Sequence, residues 1–219
     1  MEKHPDFSNL HVADHPLILH KLTLMRDIAC TKVEFKALLK ELSLLMGYEV
    51  TRSLELKFIE IETPVAKTTQ PVLVDKTPII APILRAGLGM SEGLEALIPT
   101  AHIGHIGMYR DEETKKPVEY LIKLPDLTGR TVILVDPMLA TGNSAKYALD
   151  VLVRHNADIS KVSFMALLAA PEGVKVLHDS YPDVPVYVAA LDERLNEHAY
   201  IVPGLGDAGD RVFGTEDVA

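Results

Sequence analysis

The stretch Val132-Ile-Leu-Val-Asp-Pro-Met-Leu-Ala-Thr-Gly-Asn-Ser-Ala145 decides the fold. Its first four residues are an unbroken β-branched and aliphatic run, the pattern of a central parallel strand covered on both faces. From Ala145 onward (AKYALDVLVRH) the apolar positions have helical spacing. Between strand and helix, Thr141-Gly-Asn-Ser144 places backbone N–H groups and two hydroxyls at a helix N-terminus, where orphan donors and the macrodipole favour an anion. Asp136 ends the strand beside that anion site. A ligand carrying both a phosphate and sugar hydroxyls would satisfy both halves, the hydroxyls donating to Asp136; a phosphorylated ribose is such a ligand. The loop lacks the spacing and lysine of G-x-x-x-x-G-K-[ST], and no G-x-G-x-x-G follows a strand, which counts against nucleotide hydrolysis and NAD chemistry. Taken alone, the loop reads equally well as a turn whose Thr141 or Ser144 caps the next helix.

Outward from this unit the chain alternates helices and strands, with no internal repeat and no low-complexity linker. Leucines at helical spacing predict helices over His15 to Asp27 and Lys32 to Tyr48, and Thr31-Lys-Val-Glu34 forms a capping box for the second. This helical segment, about residues 1–50, is expected to cap a core of about 51–195, followed by a C-terminal segment of about 196–219, all in one domain. Extended structure is expected over Leu54 to Val65 and around Val72, before the first core strand at Pro78 to Leu84. A helix over Ser91 to Leu97 and strands over His102 to Tyr109, Val118 to Leu124 and Thr131 to Val135 follow. After the Ala145 to His155 helix come a strand over Val162 to Ala169, a helix near Glu172 to His178 and a strand over Val186 to Leu191. The sum is an α/β fold with a mostly parallel central sheet flanked by helices.

Ligands of such sheets sit at the carboxyl ends of strands, where Arg85, Asp136 and the Thr141 loop all fall. Pro82-Ile-Leu-Arg-Ala-Gly-Leu-Gly-Met90 ends an apolar strand with one arginine and two glycines, so that backbone N–H groups can approach a ligand while Arg85 supplies charge. Tyr109-Arg-Asp-Glu-Glu-Thr-Lys-Lys-Pro117 interrupts two strand-like segments with a charged stretch and is expected to project as a flap hairpin, with Arg110 at its base and Lys115 and Lys116 as solvated tip charges. The tail from Tyr200 to Gly214 is broken by repeated glycines and by Pro203, which predicts a shaped loop rather than a helix or long strand. Its apolar residues Ile201, Val202, Leu205, Val212 and Phe213 set it apart from a disordered terminus.

The 219 residues are 47% hydrophobic and 24% charged, ample for one sizeable core. A formal charge of −9 argues against a nucleic-acid binder. Cys30 is the only cysteine and is expected to be a buried, inert thiol. The nine histidines form no metal cluster in the sequence. No targeting segment and no apolar run of the ~20 residues a bilayer span needs are recognisable, so a cytoplasmic protein without membrane contact is expected.

VILVDPMLATGNSA resembles the phosphoribosyl diphosphate (PRPP) motif of type I phosphoribosyltransferases, and its Asp-Pro-Met-Leu-Ala-Thr-Gly variant resembles that of the uracil phosphoribosyltransferase family. The segments 82–90 and 200–215 resemble the same family's diphosphate-side loop and uracil-binding C-terminus, in the same order, and His15-Pro-Leu and Met108-Tyr-Arg-Asp111 extend the likeness over nearly the whole chain. The resemblance implies a pentosyltransferase that converts uracil and PRPP to UMP and diphosphate in pyrimidine salvage, with a PRPP-binding regulator of the same fold as the alternative. It implies that Arg85, Arg110, Asp136 and Asp207 are catalytic. PRPP would be held by Arg85, Arg110, Asp136, Pro137, Met138, Leu139, Ala140, Thr141, Gly142, Asn143, Ser144 and Asp207. Uracil would be held by Ile201, Gly206, Asp207 and Ala208. Mg²⁺ is implied mainly through the PRPP diphosphate, with Asp207 facing that metal, and GTP as an effector and a homodimer or higher homo-oligomer are implied as well. The resemblance also implies an unusual backbone at the Arg85 loop. Two departures stand out: Pro137 replaces a second acidic residue, as is normal in the uracil branch, and Asn143 stands where a glycine is usual, an inexpensive choice should that position need a positive φ.

Overall fold

The computed structural model describes residues 1–74, 77–110 and 117–215, with Arg110 and Pro117 described by their backbone alone. In chain order, β1 (Glu2–Lys3) and β2 (Leu10–Val12) precede helices α1 (Pro16–Arg26) and α2 (Lys32–Val50). β3 (Leu56–Glu62) and β4 (Lys67–Leu73) pair as an antiparallel hairpin outside the main sheet. β5 (Ile79–Leu84), α3 (Leu88–Leu97), β6 (His102–Ile103), β7 (His105–Arg110) and β8 (Pro117–Lys123) follow. Next come β9 (Val132–Val135), β10 (Met138–Leu139), α4 (Asn143–Arg154), β11 (Val162–Ala169), α5 (Pro171–Ser180) and β12 (Val186–Leu191). The hairpin of β13 (Arg194–Leu195) and β14 (Ile201–Val202) leads to α6 (Ala208–Phe213).

The main sheet runs β1-β2-β12-β11-β9-β5-β7-β8, with β6 beside β5 and β10 beside β11. It is parallel from β2 through β7 and antiparallel only at its two outer pairs. Every residue of β9 and β11 is buried, as expected for strands covered on both faces. Alternation along β9 divides the core: Val132 and Leu134 pack with Phe164, α4 (Ala148, Leu149, Leu152) and α5 (Val174, Leu177). Ile133 and Val135 face the other way, toward Met165, α1 (Ile18, Leu22, Met25), α2 (Phe35, Leu39, Met46) and α3 (Met90, Leu94). A one-residue slip of β9 would exchange these two sets, so its register is tightly specified.

α2 begins where the sequence indicates, whereas α3 begins at Leu88, three residues before the expected Ser91, and α4 at Asn143, two before Ala145. In α2, Glu34 N–H donates to Thr31 Oγ1 at 3.4 Å and Thr31 N–H to Glu34 Oε2 at 2.9 Å, completing the capping box. Four expectations are corrected. The sheet does not begin at Pro78, because β2 already pairs in parallel with β12; three residues are too few to show a period. The strand expected over His102 to Tyr109 is broken at Gly104, where a Cβ would lie 2.6 Å from the Leu124 side chain. The glycine-broken tail does contain a helix, α6, whose Ala208 and Val212 are buried in the cluster with α2, so tertiary packing outweighs the glycine. Cys30 is half-buried rather than enclosed, and desolvation raises its pKa.

α5 approaches β10 closely enough that a Cβ on Gly173 would lie 2.5 Å from the Ala140 carbonyl oxygen and 2.8 Å from that of Leu139. Replacing Gly173 with alanine is therefore expected to destabilise the protein by about 1–3 kcal/mol, as overpacking against backbone does. Urea unfolding should show the midpoint fall at constant m-value, and an unchanged midpoint would refute the close contact.

Candidate active site

β5 and β9 lie in parallel register, with Ile79 opposite Val132 and Pro82 opposite Val135, so both strands end at the same edge of the sheet. The residues just beyond those ends, Arg85 and Asp136, consequently share one cleft of about 470 Å³. Met138, Ala140 and Thr141 continue its wall on one side. Ile201, Gly206, Asp207 and Ala208 from the C-terminal segment face them. Residues on segments far apart in the chain thus meet where open α/β sheets bind ligands.

The Arg85 loop is shaped by packing. The Leu84–Arg85 peptide bond is cis, the unusual backbone expected there. Gly87 N–H donates to Ile83 O at 2.9 Å, and a Cβ on Gly87 would lie 2.6 Å from both Ile83 O and Val135 O. A Cβ on Gly89 would lie 2.4 Å from Leu39 Cδ2. Both glycines therefore serve the close approach of α3 to β5, β9 and α2, and their own N–H groups are taken up by Ile83 O and Ala86 O. Arg85 itself lies over the Phe213 ring, its guanidinium carbon 5.7 Å from the centroid, and this links the Arg85 loop to α6.

After β9, Asp136 Oδ1 accepts the Met138 N–H at 3.3 Å, and Pro137 O accepts N–H groups of Leu167 and Leu168 at 3.0 and 3.1 Å. Pro137 and Leu139 turn into the protein, away from the cleft, and fasten the loop to β11. Gly142 takes the left-handed conformation (φ +79°) as N-cap of α4, and no side chain caps that helix. Thr141 and Ser144 thus leave the cap unfilled, which argues against the plain capping role. The positive φ lies at Gly142 and not at residue 143; Asn143 opens α4 with helical geometry, so its replacement of glycine carries no backbone penalty. Asn143 and Ser144 are exposed at the helix start.

Across the cleft, Asp207 Oδ1 accepts the Asp210 N–H at 2.9 Å and begins α6. The Asp136 pKa is pushed up to about 7, first by burial and then by repulsion from Asp207, while the Met138 N–H pulls the other way. Lys115, Lys116 and the Arg110 side chain lie outside the described residues. Two further wall residues, His198 and Ala199, lie outside the segments singled out in the sequence, and Tyr200 lies at the edge of one of them. They reach the cleft because the turn between β13 and β14 is pinned by Asn196, whose Oδ1 accepts N–H groups of His198 and Tyr200 at 3.0 and 2.9 Å, with Ala199 left-handed at φ +64°. An asparagine four residues before an aromatic is too weak a signal to find them.

A twisted, mostly parallel sheet with an uncapped helix N-terminus, an aspartate and an arginine at one edge defines a type I phosphoribosyltransferase. The fold is shared with a hypoxanthine-guanine phosphoribosyltransferase from Bacillus anthracis (TM-score 0.50, 18% identity, 74% of this chain and 80% of that one). The AQ2163 protein from Aquifex aeolicus matches much more closely, with a TM-score of 0.88 and 36% identity over 94% of this chain and 98% of that one. The family model described as uracil phosphoribosyltransferase matches residues 12–215. The uracil phosphoribosyltransferase of Rhodospirillum centenum is 60% identical, covering 99% of this chain and 100% of that one. That of Lactococcus lactis subsp. cremoris is 58% identical, covering 95% and 100%. The chain belongs to the uracil phosphoribosyltransferase family.

In an unfolded chain Asp136 would ionise near ~4, whereas in the fold it keeps its proton up to about 7. Between those values the folded state binds more protons, so Asp136 makes stability fall as pH rises from about 4 to about 7, with no further loss above. Asp136→Asn removes this term and can still accept the Met138 N–H. Its melting temperature is expected to gain on that of wild type across this interval and to run parallel above it. Parallel curves from pH 4 upward would contradict the raised pKa.

Proposed function

We propose that this chain transfers the 5-phosphoribosyl group of PRPP to N1 of uracil, giving UMP and diphosphate. The observation that carries this reading is the meeting, in one cleft, of Thr141, which leads into the uncapped α4 N-terminus, with Ile201, Gly206, Asp207 and Ala208. The first element suits a phosphate, and the second offers backbone groups to the edge of a planar base. Thr141, in the cleft, and Gly142 to Ser144, at the helix start beyond it, take the 5′-phosphate, and Asp136 accepts ribose hydroxyls. Ile201, Gly206, Asp207 and Ala208 hold uracil.

The C1–O bond to diphosphate breaks as the N1–C1 bond forms, and the pair of electrons leaves with the diphosphate. Arg85 and Arg110 stabilise that growing negative charge, and positioning supplies much of the remaining acceleration. Asp207 is the carboxylate of the base loop assigned to the N1 proton. Among the described residues no group of three or more His, Cys, Asp or Glu is arranged to hold a metal. The two carboxylates Asp136 and Asp207 beside a diphosphate site do fit Mg²⁺ held chiefly by substrate oxygens, where it would neutralise the leaving group.

The protein works in the cytoplasm as a homo-oligomer; no described helix is long and apolar enough to cross a membrane. The β3–β4 hairpin supports self-association, since Phe58 is 70% and Val65 93% exposed, along with Leu56, Ile59 and Ile61. A PRPP-binding regulator without catalysis has no observation in its favour, and a charge of −9 counts against RNA as its target.

Purified protein with Mg²⁺, PRPP and, separately, uracil, cytosine, orotate, hypoxanthine or guanine, with and without GTP, tests this reading. UMP from uracil alone is expected, with turnover reduced roughly 10²-fold or more in Arg85→Ala. GTP as an effector is expected to raise the rate. PRPP binding without product from any base would overturn the reading.

A further inference from the structure

The C-terminal segment that faces the cleft is held both by buried apolar residues and by polar contacts. Behind it lies a second cleft of about 620 Å³, lined by Pro203, Gly204 and Leu205 as well as by Gly206 and Asp207, which also face the first. Gly206 and Asp207 therefore form a wall with open space on both sides. Buried Ile201, Leu205 and Ala208 anchor the segment from the core, and the backbone of the intervening turn is fixed by directed polar contacts.

One bracket supplies them. Asp192 follows β12 at the carboxyl end of the sheet, and its N–H donates to Ala169 O at 2.8 Å. Its carboxylate is 5% exposed and is met by the last residue of α1: Arg26 Nη2 donates to Oδ1 at 2.6 Å and Nη1 to Oδ2 at 2.8 Å. The same two side chains take both backbone groups of Gly204. Gly204 N–H donates to Asp192 Oδ2 at 2.9 Å, and Arg26 Nη1 donates to Gly204 O at 2.7 Å. Gly204 is left-handed (φ +63°), and a Cβ there would lie 2.2 Å from Ile201 O, so the bracket grips the tightest point of the turn between Ile201 and Gly206. Arg211 adds a weaker tie one residue on, its Nη1 donating to Leu205 O and to Met25 O, each at 2.9 Å.

We infer that Arg26 and Asp192 are positioning residues for base recognition: bound to each other and to both backbone groups of Gly204, they hold the Ile201–Ala208 segment at the depth and angle that accept uracil. This rests on the reading of that segment as the base site. Neither side chain lines the base-facing cleft, so they act through Gly204 rather than by touching substrate. A planar guanidinium is needed because three acceptors (two carboxylate oxygens and one carbonyl) must be met in fixed directions, which a single ammonium cannot do.

The test compares wild type, Arg26→Lys, Arg26→Met and Asp192→Asn in steady-state assays, with melting temperatures recorded for each. The expected result for Arg26→Lys is a uracil KM raised about 10-fold, with the PRPP KM within about twofold of wild type, since a small displacement of binding groups is enough for such a loss. The preference for uracil over cytosine should fall by a similar factor, because a shifted wall no longer leaves the wrong base's groups unpaired. Arg26→Met and Asp192→Asn should exceed this effect, and the partial recovery in lysine relative to methionine marks the pair rather than bulk. Should either stronger variant fail to fold, Arg26→Lys, which keeps the charge, decides alone. The inference is overturned if wild type makes UMP and Arg26→Lys leaves the uracil KM unchanged, or raises both KM values by the same factor; either result reduces the bracket to a stabiliser of α1. A wild type that makes no UMP overturns the underlying reading, and the inference with it.

Discussion

Burial of β9 and β11 on both faces is the constraint from which the rest of this molecule follows. A strand apolar on both sides can be satisfied only inside a parallel sheet with helices above and below, and such a sheet brings its carboxyl ends to one edge. Because β5 and β9 are in register, Arg85 and Asp136 emerge together at that edge. Because β10 returns to pair with β11, the Thr141 loop is turned toward the same edge. The site is thus a consequence of strand lengths and pairing, and its residues need no direct bonds to one another to be assembled.

Close backbone approach is the second requirement, and glycine meets it where helices cross the strand ends. Gly142 lies against α5, where a Cβ would be 2.7 Å from Gly173 O, while Gly173 lies against Ala140. The two glycines let α5 seat against the phosphate loop from behind, so the loop's conformation is held by packing and not by its own side chains. Gly87 does the same for the Arg85 loop against β5 and β9. A loop fixed from behind can leave its N–H groups facing the ligand, which is what preorganised anion binding demands.

These facts also explain what could be read from the sequence. The run Val132 to Val135 and the capping box at Thr31 carry local signals that tertiary structure reinforces, and the central strands and first helices came out within a few residues. The turn from β9 into α4 was legible for the same reason. β2 was not, since three residues joined to a strand some 175 positions away have no local pattern; its register partners are Leu10 and Val186. α6 was missed because its stability comes from Val212 and Ala208 against α2, which no propensity scale contains. The glycines of the Arg85 loop were found, but their close packing against β5, β9 and α2 was not, because sequence cannot say whether a missing Cβ makes room for a ligand or for a neighbouring strand. Arg26 and Asp192 gave no signal at all, each being an ordinary charged residue at the end of an element.

The electrostatics of the cleft, finally, set the terms on which a ligand enters. In an acidic chain the Asp136 pKa is raised first by desolvation and then by Asp207, while the attraction offered to an anion is local, from Arg85 and the α4 N-terminus. A bare polyphosphate would gain from the latter and be repelled by the former. A ligand that brings hydroxyl donors to Asp136 and a cation on its diphosphate turns both repulsions into contacts, and its arrival lowers the Asp136 pKa again. Under the proposed reaction this makes the acidic pair a selective element: it discriminates against phosphate chains lacking a sugar or a metal, and it does so through the same buried carboxylate that orients the ribose.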